Sequence, residues 1–267
     1  MSRRALAATT VRDALDSAVI PLTAAGCDTP LLDAQVLLAW VMGVDRGVLI
    51  ADPGRELTGA QARAFMDAVR RRREREPVAY ITGVKGFRFI ELMVDRRVLI
   101  PRPETEHVVE AALTLPRGAR VVDVGTGSGA IALALKHERP DLEVFGTDIA
   151  TLDVARANAA RLDLDVTFVE GDLLAGLEAD AVVSNPPYIP DGTPLMPEVA
   201  RYEPAAALFA GADGLDVLRR LWVAPFVAVE HGSGQADAVA ELATSAGYSV
   251  ERIKDLAGIE RVVVGRR

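Results

Sequence analysis

Val121-Val122-Asp123-Val124-Gly125-Thr126-Gly127-Ser128-Gly129 reads as a buried strand that runs straight into a glycine-rich turn, and residues 130–136 continue as a helix. Glycines belong where the backbone turns sharply and must approach a ligand closely. Outward from this stretch, short Val-rich runs alternate with helical stretches. The strand candidates are 120–124, 143–148, 166–170, 181–184, 226–230, 248–254 and 261–265. Such alternation predicts parallel strands joined by crossover helices. The last two runs are separated only by 255–260, and a parallel crossover needs about a dozen residues or more, so this pair must be an antiparallel hairpin. The fold class is α/β: a doubly wound, Rossmann-like sheet, parallel except for its terminal hairpin. Ligands of such sheets lie outside the carboxyl ends of the strands.

A glycine-rich turn alone is a weak signal, compatible with a dinucleotide site or a bare strand–helix turn. Its context is more specific. Asp148 ends the second strand, where a carboxylate can accept from both hydroxyls of a ribose. NAD and S-adenosylmethionine both carry such a ribose, but Gly125, Gly127 and Gly129 give Gly-x-Gly-x-Gly, not the dinucleotide spacing Gly-x-Gly-x-x-Gly. Asp172 follows the third strand and can accept from an adenine amino group, with Ile149 and Leu173 as apolar faces for the ring. The expected cofactor is S-adenosylmethionine, held by Gly125, Thr126, Gly127, Ser128, Gly129, Asp148, Asp172, Leu173 and Asn185. Asp123 either orients the methionine end or supports the loop.

The fourth strand delivers Asn185-Pro186-Pro187-Tyr188. Two prolines fix the backbone and remove two N–H donors, leaving an excess of acceptors. The Asn185 side-chain oxygen and the Pro186 carbonyl can each take one hydrogen of an NH₂ group, and Tyr188 offers a face for a planar group. An amide or exocyclic amine is a poor nucleophile because its lone pair is delocalised. Holding both N–H bonds toward acceptors aims that lone pair at an electrophile, through orientation and electrostatic complementarity rather than a strong base. Asn185, Pro186 and Tyr188 are therefore the candidate catalytic residues, and Asn185, Pro186, Pro187 and Tyr188 the candidate substrate-binding ones.

The chain has 267 residues and a net charge of −8. Residues 1–76 hold 11 Arg against 10 Asp and Glu, net +1, so the remainder carries −9. An acidic catalytic region is a poor generic binder of a phosphate backbone. A single cysteine, Cys27, excludes an internal disulfide framework. His107, His137 and His231 form no metal-ligand spacing, so no metal is expected. His231, in Glu230-His231-Gly232, is expected to shape the site rather than to act as acid or base. Arg3 and Arg4 resemble the start of a signal peptide, but Arg12, Asp13 and Asp16 put charge where its apolar core would have to run, and no apolar run is long enough to span a bilayer. A soluble, cytoplasmic protein is expected.

Residues 1–76 read as a small helical domain expected to recognise the substrate. Apolar positions recur at three and four, as in Leu32, Val36, Leu37 and Trp40, with helix starts at Thr29-Pro30 and Thr58. The second of these helices ends in Arg70–Arg73 and Arg75, read either as a solvated, dipole-matched helix end or as a contact for an acidic or RNA-containing partner. Residues 77–100 read as a β-hairpin linker, with Tyr80 and Ile81 in its first strand. A helix is expected over 104–115. The catalytic domain is expected to occupy 101–267.

Taken together, the chain resembles the release-factor glutamine methyltransferases, also called the HemK or PrmC family. The resemblance rests on Glu76-Pro77 with Tyr80-Ile81 and Gly83, Val98-Leu99-Ile100-Pro101-Arg102-Pro103-Glu104-Thr105-Glu106, the glycine turn, Ser184-Asn185-Pro186-Pro187-Tyr188-Ile189, Arg201-Tyr202-Glu203-Pro204, Glu230-His231-Gly232 and Ile259-Glu260-Arg261. Asn-Pro-Pro-Tyr alone is shared with amino methyltransferases acting on adenine or guanine of nucleic acid, which stand as the alternative; the Pro101–Glu106 block behind a helical domain is more specific. The resemblance implies a class I methyltransferase sheet and methylation of the glutamine amide nitrogen in the Gly-Gly-Gln motif of peptide-chain release factors. Those factors would be the protein partner, a role compatible with ribosome proximity, with no direct nucleic-acid substrate and no membrane. Where the family often has an aromatic residue after the position of Asp172, this chain has Leu173.

Overall fold

The computed structural model describes residues 9–150 and 152–267, so that Arg3 and Arg4 lie outside the described residues. The chain forms two compact units: Met1–Gly83 with Met196–Tyr202, and Val84–Leu195 with Glu203–Arg267.

The first unit is helical: α1 (Val11–Ala24), α2 (Pro30–Met42), α3 (Arg46–Ala51), α4 (Gly59–Arg73) and α5 (Val78–Thr82). Capping boxes open α1 at Thr10 with Asp13 and α4 at Thr58 with Gln61. Pro30 starts α2, and Gly43 ends it in the left-handed conformation at φ 64°. Thr29 precedes α2 as expected but does not cap it; its hydroxyl donates to Asp33 Oδ1 at 2.8 Å. Val11, Leu22, Leu37, Leu38, Leu49 and Phe65 form the core.

Two expectations fail in this unit. Tyr80 and Ile81 lie in α5 rather than in a strand, and the hairpin starts only at Val84. Pro77 and the left-handed Gly83 (φ 77°) bracket one helical turn, and this punctuation overrides the β preference of Tyr and Ile. The arginine cluster is not a solvated helix end either. Arg72 is buried and donates to Asp33 Oδ2 at 2.7 Å, Arg71 pairs with Glu76, and Arg72 and Arg75 both pair with Glu198 on the helix Pro197–Tyr202. Only Arg70 and Arg73 of the five are exposed. The cations are buried because Asp33 and Glu198 supply partners from elsewhere in the chain.

The second unit opens with the hairpin β1 (Val84–Phe87) and β2 (Ile90–Met93). A 3₁₀ turn, Pro103–Thr105, leads into α6 (Glu106–Ala112), shorter than the helix expected over 104–115. Next along the chain are β3 (Arg120–Val124), α7 (Ala130–Glu138), β4 (Glu143–Asp148), α8 (Asp153–Leu162), β5 (Thr167–Glu170) and β6 (Ala181–Ser184). After α9 (Pro197–Tyr202), which belongs to the first unit, come β7 (Phe226–Glu230), α10 (Ala236–Ser245), β8 (Ser249–Lys254) and β9 (Glu260–Arg266). The seven-stranded sheet has the order β5-β4-β3-β6-β7-β9-β8. β5, β4, β3, β6 and β7 are parallel; β9 runs antiparallel to both β7 and β8, as the short connection between Lys254 and Glu260 requires. β6 and β7 are buried along their whole length, which is why they read as apolar runs up to Ser184 and Glu230 at their carboxyl ends. The strand order reverses between β3 and β6, so the crevice of the sheet opens beyond Val124 and Ser184.

Candidate active site

The sheet brings the glycine turn and Asn185-Pro186-Pro187-Tyr188 together. They leave adjacent strands at the reversal, and the Ser184 hydroxyl donates to the Val124 carbonyl at 2.6 Å, tying the two strand ends. A cavity of about 530 Å³ lies at the opposite, amino-terminal strand edge, lined by Pro116, Asp180 and Phe226 among others, remote from both motifs.

The turn is held from below. The amides of Gly125 and Thr126 both donate to the Thr147 carbonyl, at 2.8 and 3.0 Å. Asp123 is buried and accepts on Oδ2 from the Thr126 hydroxyl (2.6 Å) and from the Ala132 amide (3.2 Å). These bonds brace the loop, one of the two roles expected of Asp123. Its Oδ1 is buried with no partner among the described residues, and burial raises its pKa to about 7. Asn158 on α8 adds a brace absent from the sequence reading: its Nδ2 donates to the Ser128 carbonyl at 2.9 Å and to Met93, while its Oδ1 accepts the Met93 amide. A buried Asn facing a loop carries no periodic signal, so the sequence could not single it out.

Asp148 Oδ2 accepts the Gly127 amide at 3.0 Å, and Oδ1 accepts the Ala150 amide at 2.9 Å. Each oxygen keeps acceptor capacity for a diol. Gly125 and Gly127 adopt φ of 72° and 53°, and a Cβ on either would meet nothing within 4 Å. The turn therefore borders open space that a side chain would invade. A ligand with hydroxyl and amino donors fits this surface: glycine backbone in front, Asp148 at one end and the unpartnered Asp123 oxygen beneath. The remaining expected residues lie further along the edge. Leu173 takes a left-handed φ of 50° and packs against the core beside β3. Asp172 is exposed and paired with Arg220, and Ile149 is exposed.

In the tetrapeptide, Pro186 is buried and Pro187 partly so. Gln235 Nε2 donates to the Tyr188 carbonyl at 2.9 Å, and the Ile189 amide donates to Leu208, fixing the loop on its far side. Asn185 Nδ2 donates to the Thr105 hydroxyl oxygen at 3.0 Å. With that edge of the amide committed, Oδ1 is the edge on offer. The Tyr188 hydroxyl donates to Glu230 Oε1 at 3.1 Å, and the Thr105 hydroxyl donates to Glu230 Oε2 at 2.6 Å. Burial raises the Glu230 pKa to about 7 and, with the nearby carboxylate, holds the Tyr188 phenol protonated. Thr105 and Glu230 had no role in the sequence reading, though both fall within its quoted blocks; a carboxylate at a strand's carboxyl end, like Asp148, was the available signal. In the same block, Arg102 pairs with the buried Glu203, which ties the Pro101–Glu106 segment down. His231 is fully buried, its Nδ1 2.9 Å from the Gly232 carbonyl and its pKa lowered by burial, in keeping with a shaping role.

Among known proteins, the family model described as the PrmC N-terminal domain matches residues 13–83, and the one described as the methyltransferase small domain matches 105–201. A release factor glutamine methyltransferase of Koribacter versatilis is 41% identical over 97% of this chain and 99% of its own length. One of Deinococcus radiodurans is 42% identical over 96% and 98%. A solved protein-(glutamine-N5) methyltransferase (release factor-specific) from Alicyclobacillus acidocaldarius is 34% identical, covering 63% of this chain and 94% of its own, with a TM-score of 0.39.

Proposed function

This chain belongs to the release factor glutamine methyltransferase family, and from that premise we propose that it methylates the side-chain amide nitrogen of the glutamine in the Gly-Gly-Gln motif of peptide-chain release factors. S-adenosylmethionine, when bound, supplies an electrophilic methyl group on a sulfonium centre. The residues suited to hold it are Gly125–Gly129, Asp148 through the ribose, and Leu173 with Ile149 about the adenine. Asp172 takes part only on exchanging Arg220 for the adenine amino group. Asp123 Oδ1 sits beneath the turn as an acceptor for an amino group.

One observation carries the reading: Asn185 gives its Nδ2 edge to Thr105 and so offers Oδ1. Asn185 Oδ1 and the Pro186 carbonyl then accept the two N–H bonds of the glutamine amide. That hold fixes the plane of the amide and so points the nitrogen lone pair, which lies normal to it, along one direction. Tyr188, anchored at its hydroxyl, presents its ring to the planar amide. Because both acceptors are neutral, neither takes the amide proton before attack, and that proton passes to solvent once the nitrogen has become cationic. The helical first unit is the proposed reader of the release factor, and Leu31, Leu32 and Trp40 on α2 expose apolar surface suited to protein contact. We place the reaction in the cytoplasm, together with the release factor that it is proposed to act on.

The test is mass spectrometry of the release-factor tryptic peptide containing Gly-Gly-Gln, before and after treatment with the enzyme and S-adenosylmethionine. A gain of one methyl group on that glutamine is expected. Label that enters RNA and never the peptide refutes the proposal in favour of an adenine or guanine amino methyltransferase.

A further inference from the structure

An asparagine amide has two edges of nearly equal size, one a donor and one an acceptor, so packing alone barely distinguishes them. The reaction requires one of them. At Asn185 the choice is made by a chain of polar groups that starts at Glu230. This carboxyl group is buried at the end of β7 and its two oxygens meet two different hydroxyls, those of Thr105 and Tyr188.

An ionised carboxylate has no hydrogen to give, so both contacts must run toward Glu230. Thr105 has a single hydroxyl hydrogen. Once it is given to Glu230, the Thr105 oxygen can only accept, and only the Nδ2 edge of Asn185 can satisfy it. The Oδ1 edge is then necessarily turned the other way. We propose that Glu230 and Thr105 are positioning residues: together they lock the Asn185 amide with its acceptor edge toward the substrate, while the second oxygen of Glu230 locks the Tyr188 ring. The inference rests on the reading of Asn185 and Tyr188 as the groups that hold the glutamine amide.

The lock has a defined failure state. A protonated Glu230 can donate to Thr105, which frees the threonine hydroxyl to donate to Asn185 Oδ1. The amide then turns over and aims Nδ2 at a substrate that itself offers N–H bonds. Two donors face each other and the acceptor geometry is lost. The charged and titratable groups around Glu230 are Glu104 on the turn before Thr105, Tyr188 after β6, and Arg261 on β9. Burial outweighs the rest and brings the titration to about 7, so the productive polarity is established as pH rises through that region.

The experiment compares wild type, Thr105→Val, Thr105→Ser and Glu230→Gln with release factor and S-adenosylmethionine. It measures kcat and KM from pH 5.5 to 9, the Kd for S-adenosylhomocysteine, and the melting temperature. Thr105→Val is expected to lower kcat roughly 10- to 100-fold, the scale of one charge-assisted hydrogen bond, with cofactor Kd changed by less than about threefold. Thr105→Ser, which keeps the hydroxyl, is expected to recover kcat to within about threefold of wild type. Glu230→Gln is expected to lower kcat and to abolish the acidic limb of its pH profile. The proposal is overturned by a serine variant as impaired as the valine one, by wild-type kcat in Thr105→Val, or by an acidic limb that survives in Glu230→Gln. Should Thr105→Val lack a cooperative melting transition, the serine and glutamine variants decide by their own criteria. Failure of the wild type to methylate the peptide at all sinks the functional reading itself, an outcome distinct from methylation that ignores Thr105 and Glu230.

Discussion

The backbone N–H of Gly127 donates to Asp148 Oδ2 at 3.0 Å, so the carboxylate that ends β4 holds the turn after β3. One residue thus shapes the glycine surface and, in the proposed function, offers acceptors to a ribose. Replacing Asp148 by Ala is expected to weaken S-adenosylhomocysteine binding roughly 10- to 100-fold, the scale of one or two hydrogen bonds to a charged group. Titration calorimetry measures it; wild-type affinity in the variant would remove Asp148 from the cofactor site.

Asn185→Ala separates binding from turnover. It removes the proposed acceptor for the substrate N–H and leaves the glycine turn intact. Most of the activity is expected to be lost, with cofactor affinity kept within about tenfold, or about 1.4 kcal/mol. Activity equal to wild type would end the role assigned to this side chain.

Alanine at two glycines of the turn is expected to act differently. Both adopt positive φ, which costs an L residue about 1–2 kcal/mol. At Gly127 (φ 53°) the new methyl meets nothing within 4 Å, so stability falls by little more than that strain while the methyl enters the space proposed for the cofactor. At Gly129 (φ 84°) it comes within 2.8 Å of Leu133 Cδ1 and 3.4 Å of the Ala155 methyl. Overpacking there adds roughly 1–3 kcal/mol. Urea unfolding paired with S-adenosylhomocysteine titration tests this; equal stability losses in the two variants would contradict it.

Asp123 makes stability depend on pH in a definite direction. Its pKa rises from an ordinary 3.8 to about 7 in the fold because burial disfavours the charge. Between those values the folded protein keeps a proton that the unfolded chain has released. Its contribution is therefore complete below about 4, declines as pH rises, and is gone above about 7. Asp123→Asn removes this titration. The fall in melting temperature between pH 4 and 7 is expected to be shallower in the variant; parallel profiles would refute it.

In the helical unit, Arg72 and Asp33 form a buried pair at 2.7 Å. Asp33→Ala strands the guanidinium away from water with Glu198 as its one remaining carboxylate partner among the described residues. A loss of about 3–5 kcal/mol is expected. Chemical denaturation of the full chain provides the measurement, and a loss under about 1 kcal/mol would show that water or Glu198 compensates.

The α/β class, the parallel strands, the terminal hairpin and the two motifs at the carboxyl ends were all legible in the sequence. Each is written locally: the Val runs, the six-residue connection 255–260, the glycines after Val124 and the prolines after Asn185. Local sterics and apolar periodicity act over a few residues, and a sequence displays them directly. The turn bracketed by Pro77 and Gly83 was local too, but its β-favouring Tyr80 and Ile81 disguised it.

Tertiary structure decided what the motifs are held by. The strand order set β6 beside β3 and so joined the glycine turn to Asn185. It brought Thr105 to Asn185 across 80 positions and to Glu230 across 125. It turned Arg72 and Arg75 inward onto Glu198, a residue of α9 that the sequence places amid the other unit. It gave Asp172 a partner in Arg220. The physical reason is the same throughout. A buried polar group must find a partner wherever the fold delivers one, and distance along the chain puts no constraint on where that is.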